Sequence, residues 1–165
     1  MALFSMENKT AMLRQNRAYL LAFASEARKP YTGKSHISIP DNLFAQWYDS
    51  LPWAWRKFLS EETVEVLLRT EVALFRYHAV YDHYPDALAQ LVPAYLPSVP
   101  DDPFGGGANI PLRYRVTGGG KSFLLYSLGP DLRDDGGKPA RYPGDQPGDI
   151  VAGHIWLRKA NGLRR

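Results

Sequence analysis

The sequence predicts an α+β fold in which helices come first and a small antiparallel sheet follows. Apolar residues recur at three- and four-residue steps through the first half of the chain, which is the spacing of a helix face. The composition then changes, with Pro93, Pro97, Pro100, Pro103 and Pro111 and two glycine triplets at 105–107 and 118–120. Finally, "PLRYRV" (111–116) and "SFLLYSL" (122–128) are strand-like and flank Thr117-Gly-Gly-Gly-Lys121, a hairpin connection. Helices segregated ahead of paired strands make an α+β domain rather than an alternating α/β one.

The elements follow in order. Residues 8–28 form an amphipathic helix, with Met12, Tyr19, Leu20, Phe23 and Ala27 on its apolar face, and Pro30 and Gly33 stop it. Residues 30–40 are a loop. The stretch "IPDNLFAQWYDSLPWAWRKFLSEE" predicts short helical pieces broken at Pro52. Its aromatic cluster of Trp47, Tyr48, Trp53 and Trp55 reads as the anchor of a small helical subdomain, with a partner-binding surface as the alternative. A second helix is expected over 60–83. Ser60 is placed as its N-cap, and Glu61 and Glu62 suit the positive end of the helix dipole. Val64, Leu68, Val72, Phe75 and Ala79 are its expected core stripe, with Leu67, Leu74 and Tyr81 alongside. Pro85 ends it by pushing Tyr84 out of the α region. A short helix is expected from Asp86 to Leu91. "DIVAGHIWLRK" (149–159) reads as a third strand, bulged at Gly153. The expected organisation is a helical appendage at 1–59, an α+β domain at 60–157 and a basic tail at 158–165.

Composition narrows the function classes. At 165 residues, 45% apolar and 22% charged, the chain has material for a real core. Its net charge of +3 is spread along the chain, which argues against a nucleic-acid surface. The tail "RKANGLRR" lacks the aromatic interleaving of a single-strand binder and reads as a solvated terminus. There is no cysteine, hence no disulfide framework and no thiolate zinc site. No apolar run approaches the ~18–20 residues that span a bilayer, so no membrane insertion by this chain is expected.

Among motifs, His78 and His83 are five apart, about 140° around a helix. They lack the four-residue spacing and intervening Glu of a zinc-binding HExxH pair. His36 and His154 have no local partner. No G-x-S-x-G nucleophile elbow occurs, and neither glycine triplet leads into G-K-[ST]. The distinctive segment is "SLGPDLRDDGG" (127–137), with Asp131, Asp134 and Asp135, followed by Asp145 and Asp149. It is not an EF-hand: with Asp131 at position 1, Arg133 falls at position 3 and Tyr142 at position 12, where a bidentate Glu belongs. Still, the five aspartates face only Arg133, Lys138 and Arg141 in a chain that is basic overall. Carboxylates crowded in a tight loop repel unless they are solvated or neutralised. Either the loop is simply solvated or its carboxylates share a cation, and calcium accepts irregular oxygen cages.

From residue 71 onward the order of motifs resembles the globular domain of the major pseudopilin of type II secretion systems. The resemblance is carried by the helix ending in D-H-Y-P, then "LAQLVPAYLPSVPDDPFG", the strand bearing Tyr114, "SLGPD" at 127–131 and "GDI" at 148–150. It covers about half the chain. It implies a long helix packed on a small antiparallel sheet and a structural calcium ion in the C-terminal loop. The implied ligands are Asp131 and Asp149, with a backbone carbonyl from Ser127 or Leu128; Asp134, Asp135 and Asp145 are further candidates in the same loop. Leu132 stands where that family commonly has Gly, which changes the turn. Residues 1–59 do not look like a pilin; a soluble appendage, or a cut from a larger envelope protein, is expected instead. The resemblance implies a non-enzymatic, extracytoplasmic (periplasmic or envelope) module for assembly or protein–protein contact, including self-association, as in protein transport by type II secretion. The alternative is a metal-dependent hydrolase or accessory domain using Asp131 and Asp149 as a catalytic metal site.

Overall fold

The computed structural model describes residues 6–33, 37–41, 45–48, 50–107, 109–139 and 148–153. Its elements are α1 (Met6–Glu26), α2 (Ala45–Tyr48), α3 (Ser50–Tyr81), a 3-10 turn at Leu88–Leu91, β1 (Arg113–Thr117), a 3-10 turn at Gly118–Gly120, β2 (Ser122–Ser127) and β3 (Ile150–Val151). The three strands form one antiparallel sheet in the order β1-β2-β3. The chain is therefore α+β, helices first and sheet second. Among the described residues no helix is long and apolar enough to cross a membrane.

α3 is the spine, and it departs from expectation in two ways. It begins at Ser50 and runs unbroken through Pro52 and Ser60. Pro52 lies in the first turn, where a missing N–H removes no helical bond. Ser60 is mid-helix, its hydroxyl donating to Arg56 O at 2.8 Å rather than capping an N-terminus. The expected boundary at 59/60 falls inside this helix. The core stripe is also one residue away from the expected one. Leu59, Thr63, Leu67, Thr70 and Leu74 are buried, whereas Leu68, Val72 and Phe75 are 36%, 48% and 50% exposed. One residue is a rotation of about 100°, enough to exchange the buried and solvent-facing stripes. Phe75 still meets Phe123 edge-on, with ring centroids 6.0 Å apart. Asp82 closes the helix in the left-handed region at φ 59°, its N–H donating to His78 O.

The core joins Leu67, Ala73 and Leu74 of α3 to Leu88, Leu91, Leu96, Leu112 and Leu125. The hairpin register pairs Arg113 with Tyr126 and Thr117 with Ser122. Its turn is tied to the end of α3 through Tyr84 N–H to Gly120 O at 2.9 Å. β3 is shorter than expected. Tyr126 pairs with Val151 and Ser127 with Ile150, Ala152 N–H donates to Leu125 O, and Gly153 lies in a turn. The rest of the expected strand, with His154, lies outside the described residues, as does His36. Side chains alternate across β2, so Leu125 faces α3 while Leu124 faces the other way. Gly137 passes over Leu124: a Cβ there would sit 2.7 Å from the Leu124 side chain and the φ of 83° strains other residues, so glycine is favoured. The acidic loop thus covers the face of β2 that α3 does not.

In the N-terminal part, Tyr19 and Tyr48 are buried against each other, with ring centroids 4.5 Å apart, and Tyr19 Oη donates to Tyr48 O. Of the aromatic cluster, Tyr48 is therefore the anchor and Trp53 is exposed; the side chain of Trp47 lies outside the described residues.

Candidate functional site

The acidic loop begins at a buried polar node that motif reading missed. Asp102, in "VPDDPFG", is 4% exposed. Its Oδ1 accepts from Ser127 Oγ at 2.6 Å and Phe104 N–H at 2.9 Å, and its Oδ2 accepts from Leu128 N–H at 3.0 Å. Ser127 Oγ in turn accepts from Gly129 N–H at 3.2 Å. Asp102 is itself fixed because its N–H donates to Ile110 O and Leu112 N–H donates to Pro100 O, tying 100–102 to 110–112. Ser127 and Leu128, expected to offer backbone carbonyls to a cation, meet this node through the Ser127 hydroxyl and the Leu128 N–H. The sequence signal was an Asp before Pro-Phe-Gly, which reads as an ordinary turn.

The loop ends at Asp149, which is 2% exposed. Its Oδ2 accepts from Gly137 N–H at 2.7 Å and Lys138 N–H at 3.3 Å, and its Oδ1 accepts from Asp135 N–H at 3.4 Å. Its own N–H donates to Lys138 O at 3.1 Å. Burial pushes the Asp149 carboxyl above the usual carboxylate range, and the three backbone donors only partly offset this. The two ends of the loop touch at Gly129, where φ is 72° and a Cβ would lie 2.5 Å from Gly148 O.

The other candidates divide. Asp134 accepts from Tyr126 Oη at 2.8 Å and Gly136 N–H at 3.0 Å, with Arg113 Nε at 3.5 Å. The Tyr126 bond holds its carboxyl below the usual range. Burial, reinforced by Asp134, pushes the Tyr126 hydroxyl up to about 12. Asp131 Oδ1 accepts from Arg133 N–H at 3.1 Å, a local turn. Asp135 is exposed and adds a repelling charge beside Asp149. Asp145 lies outside the described residues. Leu132 takes the left-handed conformation at φ 60° that a glycine would take there, and its side chain packs over Gly33. Among the described residues no three His, Cys, Asp or Glu side chains converge as a metal group. The structure therefore brings Asp149 together with residues 135–138 and Asp134 with Tyr126, each around hydrogen-bond donors. The candidate ligand atoms are all oxygens, and among the described residues no three of the carboxylates share one point.

Of the histidines, His78 packs its ring 4.5 Å from that of Tyr84, and His83 is exposed with Nδ1 3.0 Å from Tyr84 O. Compared with known proteins, the chain matches no family model, no curated protein and no solved structure.

Proposed function

We propose that this chain is a non-enzymatic, pseudopilin-like module that works by assembly at the cell envelope, outside the cytoplasm, with calcium in its C-terminal acidic loop. The observation that carries the reading is the apolar stripe left open along α3. Leu68, Val72 and Phe75 are more than a third exposed and repeat at helical spacing on one face. A contiguous open apolar stripe on a well-formed helix favours contact with another protein over solvent. The partner in this reading is a second copy of the chain, as in a filament-like assembly. The calcium part is supported by the buried, desolvated Asp149 carboxylate with the Asp135 charge beside it; Asp131 and Asp145 are candidates from the resemblance alone.

Sedimentation velocity over a range of protein concentration tests the assembly reading. Self-association that weakens in Val72→Lys, with the thermal midpoint unchanged, is the expected result. A chain that stays monomeric up to about 1 mM, where even a weak ~4 kcal/mol association would register, overturns it.

A further inference from the structure

A cleft of about 240 Å³ opens between the end of α1, residues 30–33 and the first turns of α3. The side chains of Phe23, Tyr31 and Trp55, all half-buried, line it together with Pro30 and Pro52. Two of these rings are held from behind. Tyr31 meets Phe104 edge-on at 5.1 Å and its hydroxyl donates to Pro130 O at 3.3 Å, while Trp55 stacks on Phe58 at 5.5 Å. The walls are therefore set before any ligand arrives, which lowers the ordering cost of binding. The charges at the rim are unequal. Glu26 is neutralised by Lys29 at 2.8 Å. Arg56 stands beside the Tyr31 hydroxyl and forms no ion pair with a carboxylate among the described residues. A guanidinium offers five N–H donors in a fork that matches a carboxylate. Aromatic walls with one guanidinium at the edge that has no carboxylate partner among the described residues are complementary to a ring-sized apolar body bearing one acid group.

We infer that this cleft binds a small organic acid, its apolar ring held by Phe23, Tyr31 and Trp55 and its carboxylate by Arg56. The occupant is a free acid rather than a peptide terminus, because the volume admits one ring and a short acid arm. The test follows the Trp55 indole N–H resonance of the full chain, identified with Trp55→Phe, during titration with 3-phenylpropionate and separately with 3-phenylpropanamide. A saturable shift with the acid is expected, with binding at least about tenfold weaker for the amide and for Arg56→Gln, since a charge-assisted contact is lost in each. Arg56 is exposed, so unchanged circular dichroism is expected for that variant, and the acid–amide comparison in the wild type does not depend on it. No saturable Trp55 shift up to about 10 mM acid, a concentration that would expose even very weak binding, overturns the inference. So does an amide that binds as tightly as the acid. A tetrapeptide ending in Phe that binds more tightly than the free acid overturns the assignment of occupant.

Discussion

Replacing Asp102 by Ala should be among the most damaging single changes in the chain. The carboxylate is buried and accepts three hydrogen bonds, at 2.6, 2.9 and 3.0 Å, from Ser127 Oγ, Phe104 N–H and Leu128 N–H. Removing it leaves those three donors with no acceptor in a site closed to water. Bonds to a charged group are worth roughly 1.5–3 kcal/mol each, but they share one desolvated carboxylate and do not add. Breaking a buried charged network by removing one partner costs about 3–5 kcal/mol, and that is the expected loss. Asp102→Asn keeps the shape and one acceptor oxygen but turns an amide NH₂ toward a donor, so about half that loss is expected. The assay is urea unfolding followed by tryptophan fluorescence. With a slope near 2 kcal/mol per M, Asp102→Ala should lower the midpoint by about 1.5–2.5 M at unchanged slope. A double-mutant cycle with Ser127→Ala should give a coupling of about 1 kcal/mol or more. An Asp102→Ala midpoint within about 0.5 M of wild type would refute the reasoning, because it would mean the three donors find partners elsewhere at little cost.

Leu74→Ala, at a position with no exposure, should cost about 2–5 kcal/mol, and Phe75→Ala, at half exposure, clearly less. Equal losses in chemical denaturation would contradict the observed orientation of α3. Tyr114 Oη donates to Pro85 O at 2.7 Å, and burial, with Asp86 next in effect, pushes its hydroxyl up to about 12. Its folded value is above the unfolded one near 10, so its contribution is complete below pH ~10 and is lost as pH rises toward ~12. Tyr114→Phe should therefore show a shallower alkaline decline in thermal midpoint than wild type, starting from a value lowered at neutral pH by about 1 kcal/mol. Parallel alkaline limbs would show that Tyr114 does not drive the decline.

The order of elements was legible because each has a local cause: helical spacing, a glycine hairpin, and prolines between them. The facing of α3 was not. Thr63 and Thr70 occupy the buried stripe, and composition alone favours the neighbouring stripe of Val64, Leu68, Val72 and Phe75. The threonines are tolerated inside because each hydroxyl donates to its own helix, at Leu59 O and Val66 O, so nothing polar is left unpaired. Ser60 misled for a related reason. A serine before two glutamates reads as a cap, but "WAWRKFL" upstream already sustains the helix and Pro52 fits its first turn. The acidic loop was legible as a special segment, though its principal anchor was not. Asp102 finds Ser127 across 25 residues of chain, and no local pattern announces a pairing at that range.

The two ends of the acidic loop are fastened by different carboxylates, and this allows the calcium proposal to be tested separately from the hydrogen bonding. On Asp149, among the described residues, Oδ2 is committed to two N–H groups, whereas Oδ1 has one contact at 3.4 Å. Oδ1 is therefore the atom with capacity to spare for a cation. Among the described residues Asp131 has only its local turn with Arg133, so its carboxylate is expected to matter little to the fold unless a cation uses it. Asp149→Asn should destabilise with or without calcium, by about 1–3 kcal/mol, because an acceptor of backbone N–H groups is lost either way. Asp131→Asn should be near neutral in chelator and destabilising only in calcium. At calcium about 100-fold above its dissociation constant, the ion contributes about 2.7 kcal/mol, which for a chain of this size is a shift of roughly 5–10 °C. The measurement is the thermal midpoint of wild type and both variants, in millimolar calcium and in chelator. If the wild type melts at the same temperature in both, the loop is held by Asp102 and Asp149 as acceptors alone and the calcium proposal fails. If Asp131→Asn is instead as damaging in chelator as in calcium, Asp131 is a structural acceptor and is removed from the ligand set.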